Sequence, residues 1–236
     1  MHESGFGRVI GVLISPDKTF RSIAERPTWV VPLLLLMALG LSVGLVMQDR
    51  VDQAAMVKYQ MDKFGVDMSD EQLEKMESEM ADQSATRQTL GLAFGVLVAA
   101  GGYFLLAALF LVVFRLAGSE LDFFRSLAVT VHGLLPAGVA ALLNLPLVFS
   151  RSEISPEEVM QGGILTSSLR PLAPEESPVL ESLLGSLDFF TIWSVVLLIL
   201  GFRAVARVST QTATTIVLIL WGLWVLGKAG FAAVLN

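Results

Sequence analysis

Few side chains in this 236-residue sequence could carry chemistry in an apolar environment. His132 lies inside a long apolar stretch, with Thr130 two residues before it and Asn144 twelve residues after it. An ionisable side chain within a membrane is costly and is therefore a candidate functional group by default. These three residues predict an intramembrane polar site. The alternative is a neutral histidine that is hydrogen-bonded between packed helices.

Other chemistries lack the residues that they need. The absence of cysteine excludes disulfides, thiolate nucleophiles and cysteine-based metal sites. The chain contains no H-E-x-x-H metalloprotease motif, no G-x-S-x-G nucleophile motif and no P-loop. A net charge of −6 without a basic aromatic patch argues against nucleic-acid binding. We therefore predict no catalytic residue, no metal site and no cofactor.

The composition predicts a membrane protein. Hydrophobic residues make up 54% of the chain and charged residues 16%, whereas soluble domains average roughly 25% charged residues. Most of the gaps between charges are as long as the about 20 apolar residues that a spanning helix needs. We predict an all-α polytopic protein, a single membrane domain with five transmembrane helices and short extramembrane helices. The predicted spans cover residues 28–47, 90–114, 126–149, 188–207 and 212–235.

The fourth predicted span is the least certain in extent. Its charge-free part, 189–202, has 14 residues and would rise only about 21 Å. We extend it to Asp188 at one interface and to Arg203 and Arg207 at the other, because arginine stems can lie along apolar surface while the guanidinium groups reach the lipid headgroups.

The charge distribution predicts the orientation. Residues on the side of the N-terminus include eight basic and five acidic ones, in short segments next to the spans. The opposite side carries eight basic and seventeen acidic residues, spread over the long loops 48–89 and 150–187. The positive-inside rule then places segment 1–27 in the cytoplasm and the C-terminus outside. The cell membrane is the expected location.

Short helices are predicted outside the spans. Phe6, Val9, Ile10 and Leu13 share one helical face with Arg8 off it, which favours an amphipathic helix at the membrane surface. Helix starts are also predicted at capping patterns, where a serine precedes a proline or acidic residues. These starts are at Ser15 for a helix to about Glu25, at Ser69 for a helix that runs into the second span, and at Ser155.

Small residues spaced four apart indicate close approach of helix backbones. The members of this set are Gly40 and Gly44, Gly91 and Gly95, and Gly133 and Ala137. Such residues either pack the bundle within one chain or form the face of a homodimer.

Several short motifs together resemble the Yip (Ypt-interacting-protein-like) family of five-span membrane proteins, in particular its bacterial members. The resemblance implies a cytoplasmic N-terminus and a C-terminus on the opposite side. Eukaryotic relatives are associated with Rab-type GTPases, but the Asp-Leu-(Tyr/Trp)-Gly-Pro signature is absent here, so that role is not expected. The motifs are Ser15-Pro16-x-x-Thr19-Phe20, Pro27-x-Trp29, Gly118, Phe123-Phe124-Arg125, the His132–Pro136 segment, Phe189-Phe190-Thr191-Ile192-Trp193 and Gly201-Phe202-Arg203.

Two functions of different class follow. The first is a non-enzymatic membrane scaffold or organiser, whose partners are the lipid bilayer and other membrane proteins or further copies of itself. The second is a small transporter or lipid-handling protein that uses the third span, which Pro136 and Pro146 interrupt. A polar cavity at His132 and Asn144 would favour the second function, and a close-packed seam the first.

Overall fold

The computed structural model describes residues 4–48, 50–63, 65–66, 69–81, 85–160, 164–174 and 177–234. The regular structure within them is helical, as the sequence predicts. In chain order the helices are α1 (Gly5–Ile14), α2 (Pro16–Glu25), α3 (Val30–Gln48), α4 (Gln53–Lys63), α5 (Asp70–Ala81), α6 (Ala85–Leu116), α7 (Phe123–Gly133), α8 (Leu135–Phe149), α9 (Pro156–Met160), α10 (Pro178–Ser186), α11 (Phe189–Val205) and α12 (Thr210–Val234).

Four segments of the described chain are long and apolar enough to cross a membrane. The fourth predicted span is not among them, because α11 has 17 residues and rises only about 25 Å against a hydrocarbon core of about 30 Å. The helix stops at Val205, two residues before the predicted end of this span, and Arg207 in the turn that follows has a φ of 54°. The four segments are Val30–Met47, Leu90–Leu116, Phe123–Phe149 and Thr210–Val234.

The third predicted span is two helices rather than one. Leu134 separates α7 from α8, and its N–H donates to the Thr130 carbonyl at 3.1 Å. Pro136 follows at once and has no N–H with which to continue the ladder of hydrogen bonds from α7. Pro146, in contrast, lies within α8, which continues through it to Phe149. Only the first of the two prolines therefore coincides with a break.

Other boundaries differ by a few residues from the predictions. Helix α6 begins at Ala85, five residues before the predicted start. The predicted end of the fifth span at residue 235 lies outside the described residues, and so does the junction at 82–84 through which a helix from residue 70 was expected to continue.

Two of the three predicted helix caps form with side-chain hydrogen bonds. The Gln72 N–H donates to Ser69 Oγ at 3.3 Å, and the Ser69 N–H donates to Gln72 Oε1 at 2.9 Å. Ser155 and Glu158 make the same reciprocal pair at 3.2 and 3.1 Å. Ser15 makes no such bond, and α2 begins instead with Pro16 in its first turn, where the fixed φ of proline suits a helix.

Helix α7 forms the centre of the bundle. Each residue from Ser126 to Gly133 is buried, because α2, α3, α6 and α11 all pack around this helix. Next to it, Phe202 of α11 lies between Phe110 and Phe114 of α6, with ring centroids 4.5 and 4.6 Å apart. Aromatic ring contacts at these distances, one tilted and one stacked, add to the stabilisation from apolar burial.

The connections meet in two layers at opposite ends of the bundle. At the first, here called the α2 end, Ser119 Oγ donates to the Ala206 carbonyl at 2.8 Å and Arg125 Nε donates to the Ala24 carbonyl at 3.3 Å. At the second, here called the loop end, the Ile154 N–H donates to the Arg50 carbonyl at 2.9 Å. These hydrogen bonds join turns that are far apart in sequence, so the turns in each layer have fixed positions relative to one another.

Candidate functional site

His132 lies in the dry centre of the bundle. Its side chain is fully buried, and Nδ1 lies 2.8 Å from the Ala128 carbonyl of the preceding helical turn. That carbonyl can only accept, so Nδ1 carries a proton and Nε2 is the acceptor of a neutral ring. Nε2 has no hydrogen-bond partner, and no described carboxylate forms an ion pair with the ring. This environment suits a packed residue better than a proton relay.

We therefore expect replacement of His132 by leucine to leave the protein folded and its stability within roughly 1.5 kcal/mol of the parent, because the change nearly conserves volume and removes an orphan acceptor. Thermal unfolding in detergent, followed by tryptophan fluorescence, measures this effect. A loss above about 3 kcal/mol would show that the imidazole makes an essential polar contact.

The structure does not bring the three predicted polar residues together. Thr130 is buried, and its hydroxyl donates to the Ser126 carbonyl within α7 at 2.9 Å. Asn144 lies on α8, where its Oδ1 accepts from the Leu165 N–H at 3.1 Å. Asn144 lines a large cavity, whereas His132 and Thr130 are not among the lining residues. Asn144 alone of the three belongs to an open polar site.

The cavity has a volume of about 1060 Å³ and lies at the loop end. Its walls come from α3, α8, α10, α11, α12 and the segment 165–174, and its size matches the upper range of small-molecule sites. Small side chains on the facing helices leave the space empty. The small residues among them are Gly40, Ala137, Ala140 and Ala141, and the polar and charged ones are Asn144, Glu157, Thr166, Ser167, Ser168, Arg170, Glu181, Asp188, Thr191 and Lys228.

A short antiparallel pairing places Arg170 at this cavity. The Phe189 N–H donates to the Ser167 carbonyl at 3.1 Å, and the Leu169 N–H donates to the Leu187 carbonyl at 3.3 Å. The Arg170 side chain then lies across Gly185, where a Cβ would be 3.0 Å from Nε. A side chain at this position would therefore require the guanidinium group to shift.

The carboxylates next to Arg170 already have partners. Asp188 accepts from the Ser167 hydroxyl and, at 2.9 Å, from the Thr191 N–H at the start of α11. Glu181 Oε1 lies 3.8 Å from Arg170 Nε, which is an ion-pair distance but too long for a hydrogen bond. Arg170 Nε is buried without a hydrogen-bond acceptor, a cost of about 1–3 kcal/mol when nothing fills it.

Lys228 was missed by the sequence reasoning, which treated His132 as the ionisable residue inside a span. It lies within α12, six residues before the last helical residue, and lines the cavity with Arg170. Lys228 forms no ion pair with a carboxylate in the part of the chain that the structure describes. A lone lysine in an apolar helix is itself the signal that could have identified it.

The predicted packing residues differ in their surroundings. At Gly133 a Cβ would lie 2.6 Å from Leu198 Cδ2, so α7 and α11 approach closely there. At Gly40, Gly44, Gly91 and Gly95 a Cβ would meet nothing within 4 Å. These four therefore make no close helix contact inside the described chain. Gly40 lines the cavity at the loop end, and the homodimer alternative stays open for Gly44, Gly91 and Gly95. Ala137 lines the cavity.

The α2 end holds the residues expected at the membrane interface. Phe6 and Ile10 of α1 are 65% and 58% exposed, as an interfacial position requires. Arg8 departs from the predicted polar face, because it is buried between α1 and α2 and donates to the Arg26 carbonyl at 2.6 Å. Arg203 pairs with Asp17 of α2, and Arg207 is exposed in the turn after α11.

Comparison with known proteins gives one family and one relative of similar length. The family model described as Yip1 domain matches residues 10–231. The chain is also similar to "Membrane protein YknW" of Bacillus subtilis (strain 168), with 26% identity over 218 residues that cover 92% of this chain and 86% of that protein. No solved structure gives a significant match.

Proposed function

Because the chain belongs to the Yip1 domain family, we propose that it is a non-enzymatic organiser in the bacterial inner membrane, with five spans, a cytoplasmic N-terminus and an external C-terminus. It acts by binding lipid and other membrane proteins or further copies of itself. Within the described residues no group of three or more histidine and carboxylate side chains could hold a metal ion, and no cofactor is invoked.

The fifth span of this proposal is α11. Asp188 caps one of its ends at the loop end of the bundle. Arg203, near its other end, pairs with Asp17 at the α2 end. A helix packed against several others, as α11 is against α2, α7, α8 and α12, is not required to match the lipid thickness by itself. Its short length of 17 residues is therefore compatible with a central crossing. The charge asymmetry of the two layers supports the orientation.

The observation that carries the organiser proposal is an apolar row on the outer side of α1. Phe6, Ile10 and Ile14 lie four residues apart and are 65%, 58% and 75% exposed, while Val9 and Val12 on the other side are buried in the bundle. Two helical faces are thus apolar, one facing the protein and one facing away from it. The outer row suits insertion into the cytoplasmic lipid interface or contact with a partner.

Native gel electrophoresis of membranes solubilised in mild detergent tests this proposal. We expect the parent protein to migrate as an assembly larger than its 25.5 kDa chain, and the F6S/I10S/I14S variant to migrate as a smaller species. A matched control, K18S/R21S on the exposed side of α2, should leave the assembly intact. Unchanged migration of the triple variant, or saturable turnover by the purified protein, would contradict an organiser that works through α1.

A second function, lipid handling, is favoured by a different observation, the cavity of about 1060 Å³ at the loop end. Filling it with A141F should lower the amount of lipid that purified protein retains, as measured by mass spectrometry. L142F is the matched control, because Leu142 is the next residue of α8 and is 55% exposed. Equal retention in the two variants would exclude the cavity as a lipid site.

A further inference from the structure

We propose that the loop-end cavity binds the phosphate-bearing anionic headgroup of a lipid, held by Lys228 and Arg170. The proposal rests on the lipid-handling function and names the ligand class of the same site. Three observations support the anion site: the charges that face the cavity, the depth of the cavity and the position of Arg170.

Three carboxylates, Glu157, Glu181 and Asp188, and two cationic groups, Arg170 and Lys228, line the cavity, so an anion is indicated by the donors that lack an acceptor and not by the net charge. Asp188 has a donor on each carboxylate oxygen, from the Ser167 hydroxyl and the Thr191 N–H. Glu181 faces Arg170 at 3.8 Å. Lys228 has no carboxylate partner among the described residues, and Arg170 Nε has no acceptor. Two cationic groups on the cavity wall thus have donors left to offer, and a phosphodiester supplies acceptor oxygens with one negative charge.

The depth of the cavity favours a lipid over a soluble anion. Gly40 lies eight residues before the end of α3 and Ala137 lies twelve residues before the end of α8. By helical rise these positions are about 12 and 18 Å inside the ends of their helices. The polar residues Ser167, Ser168 and Arg170 come from the loop layer above them. A headgroup at the charged level could therefore place its acyl chains along the small residues of α3 and α8.

Gly185 is a positioning residue for this site. The Arg170 guanidinium lies over it, with Nε at 3.0 Å and Nη2 at 3.1 Å from the site of a Cβ. A valine at this position would push the guanidinium away without removing its charge. G185V should therefore weaken the preference for the anion while the net charge of the protein is unchanged.

The test measures which lipid the full-length protein retains after detergent purification, by native mass spectrometry against equal amounts of phosphatidylglycerol and phosphatidylcholine. We expect preference for phosphatidylglycerol in the parent and a loss of about tenfold in K228Q, since a charge-assisted hydrogen bond is worth roughly 1.5–3 kcal/mol. K228R should retain the preference. R151Q, which removes an exposed charge at the same end, should also retain it. A monodisperse elution profile shows that each variant is folded.

The outcomes distinguish a failure of the lipid-handling function from a failure of the anion site alone. If A141F does not lower lipid retention, the lipid-handling function fails. If A141F lowers it but the parent retains both lipids equally, or K228Q keeps the preference, only the anion site is overturned. If millimolar inorganic phosphate displaces phosphatidylglycerol from the parent but not from K228Q, the same two cations bind a phosphate group from a soluble source.

Discussion

Replacement of Arg8 by alanine is expected to destabilise the protein by about 2–4 kcal/mol. The substitution removes a buried charged donor and leaves the acceptors that it binds without a partner. Arg8 is 7% exposed, and its guanidinium group donates to the Arg26 carbonyl, to Thr28 Oγ1 and to Ser22 Oγ at 2.6, 2.9 and 3.0 Å. These bonds tie α1 to α2 and to the turn before α3. For a chain of this size the loss corresponds to a drop in Tm of roughly 4–16 °C.

Thermal unfolding in detergent measures this drop, with Arg21→Ala as the matched control. Arg21 lies on the exposed side of α2, so its removal should change Tm by less than about 2 °C. An equal effect of the two substitutions would show that the fixed position of α1 does not depend on Arg8. The assembly measured on native gels should also weaken in the Arg8 variant, since the outer row of α1 loses its support.

Replacement of Gly201 by valine is expected to have an effect of comparable size, because α2, α7 and α11 meet at this glycine. A Cβ there would lie 2.7 Å from Val129 Cγ1 and 2.8 Å from Phe20 Cε1. Both of these side chains are fully buried and cannot move aside. Overpacking of this kind costs about 1–3 kcal/mol and occasionally more, so we expect a strongly lowered yield of monodisperse protein.

Gly95→Val is the control. It also tests whether Gly95, which the spacing of small residues marks as a packing position, makes a close helix contact. Gly95 has nothing within 4 Å of a Cβ position, so this variant should elute and unfold like the parent. Gly201→Ala should give an intermediate result, which keeps the comparison informative if the valine variant fails to fold. A damaging Gly95→Val together with a harmless Gly201→Val would mean that α6 has a close neighbour at Gly95 and that α11 does not pack as described.

The hydropathy pattern, the capping patterns and the positions of the prolines were sufficient to predict the class of fold and most helix positions. Long apolar stretches between charges can only be solvated by lipid or by other helices, so four spans follow almost directly from the sequence. The caps at Ser69 and Ser155 depend on local side-chain reach and form as predicted. The break before Pro136 follows equally from the missing N–H of proline.

Features set by tertiary contacts could not be predicted in the same way. Spacing identified Gly91, Gly95 and Gly133 alike, but nothing in that pattern says which helix lies opposite. Gly133 lies in a close helix contact and Gly95 does not, while Gly201, which the pattern did not identify, does. The burial of Arg8 depends on carbonyls that α2 brings to it. Lys228 is remote in sequence from Arg170. The pairing of 167–169 with 187–189 and the packing of α12 against α10 bring both to one cavity.

The membrane topology is tested most directly by labelling single cysteines with a membrane-impermeant maleimide, since the chain has no cysteine of its own. The positions are Lys18 at the α2 end, Glu157 at the loop end and Val234 at the end of α12, all of them exposed. We expect E157C and V234C to react in intact spheroplasts and K18C to react only after lysis. Labelling of K18C and V234C from the same face would contradict a chain that crosses the membrane five times.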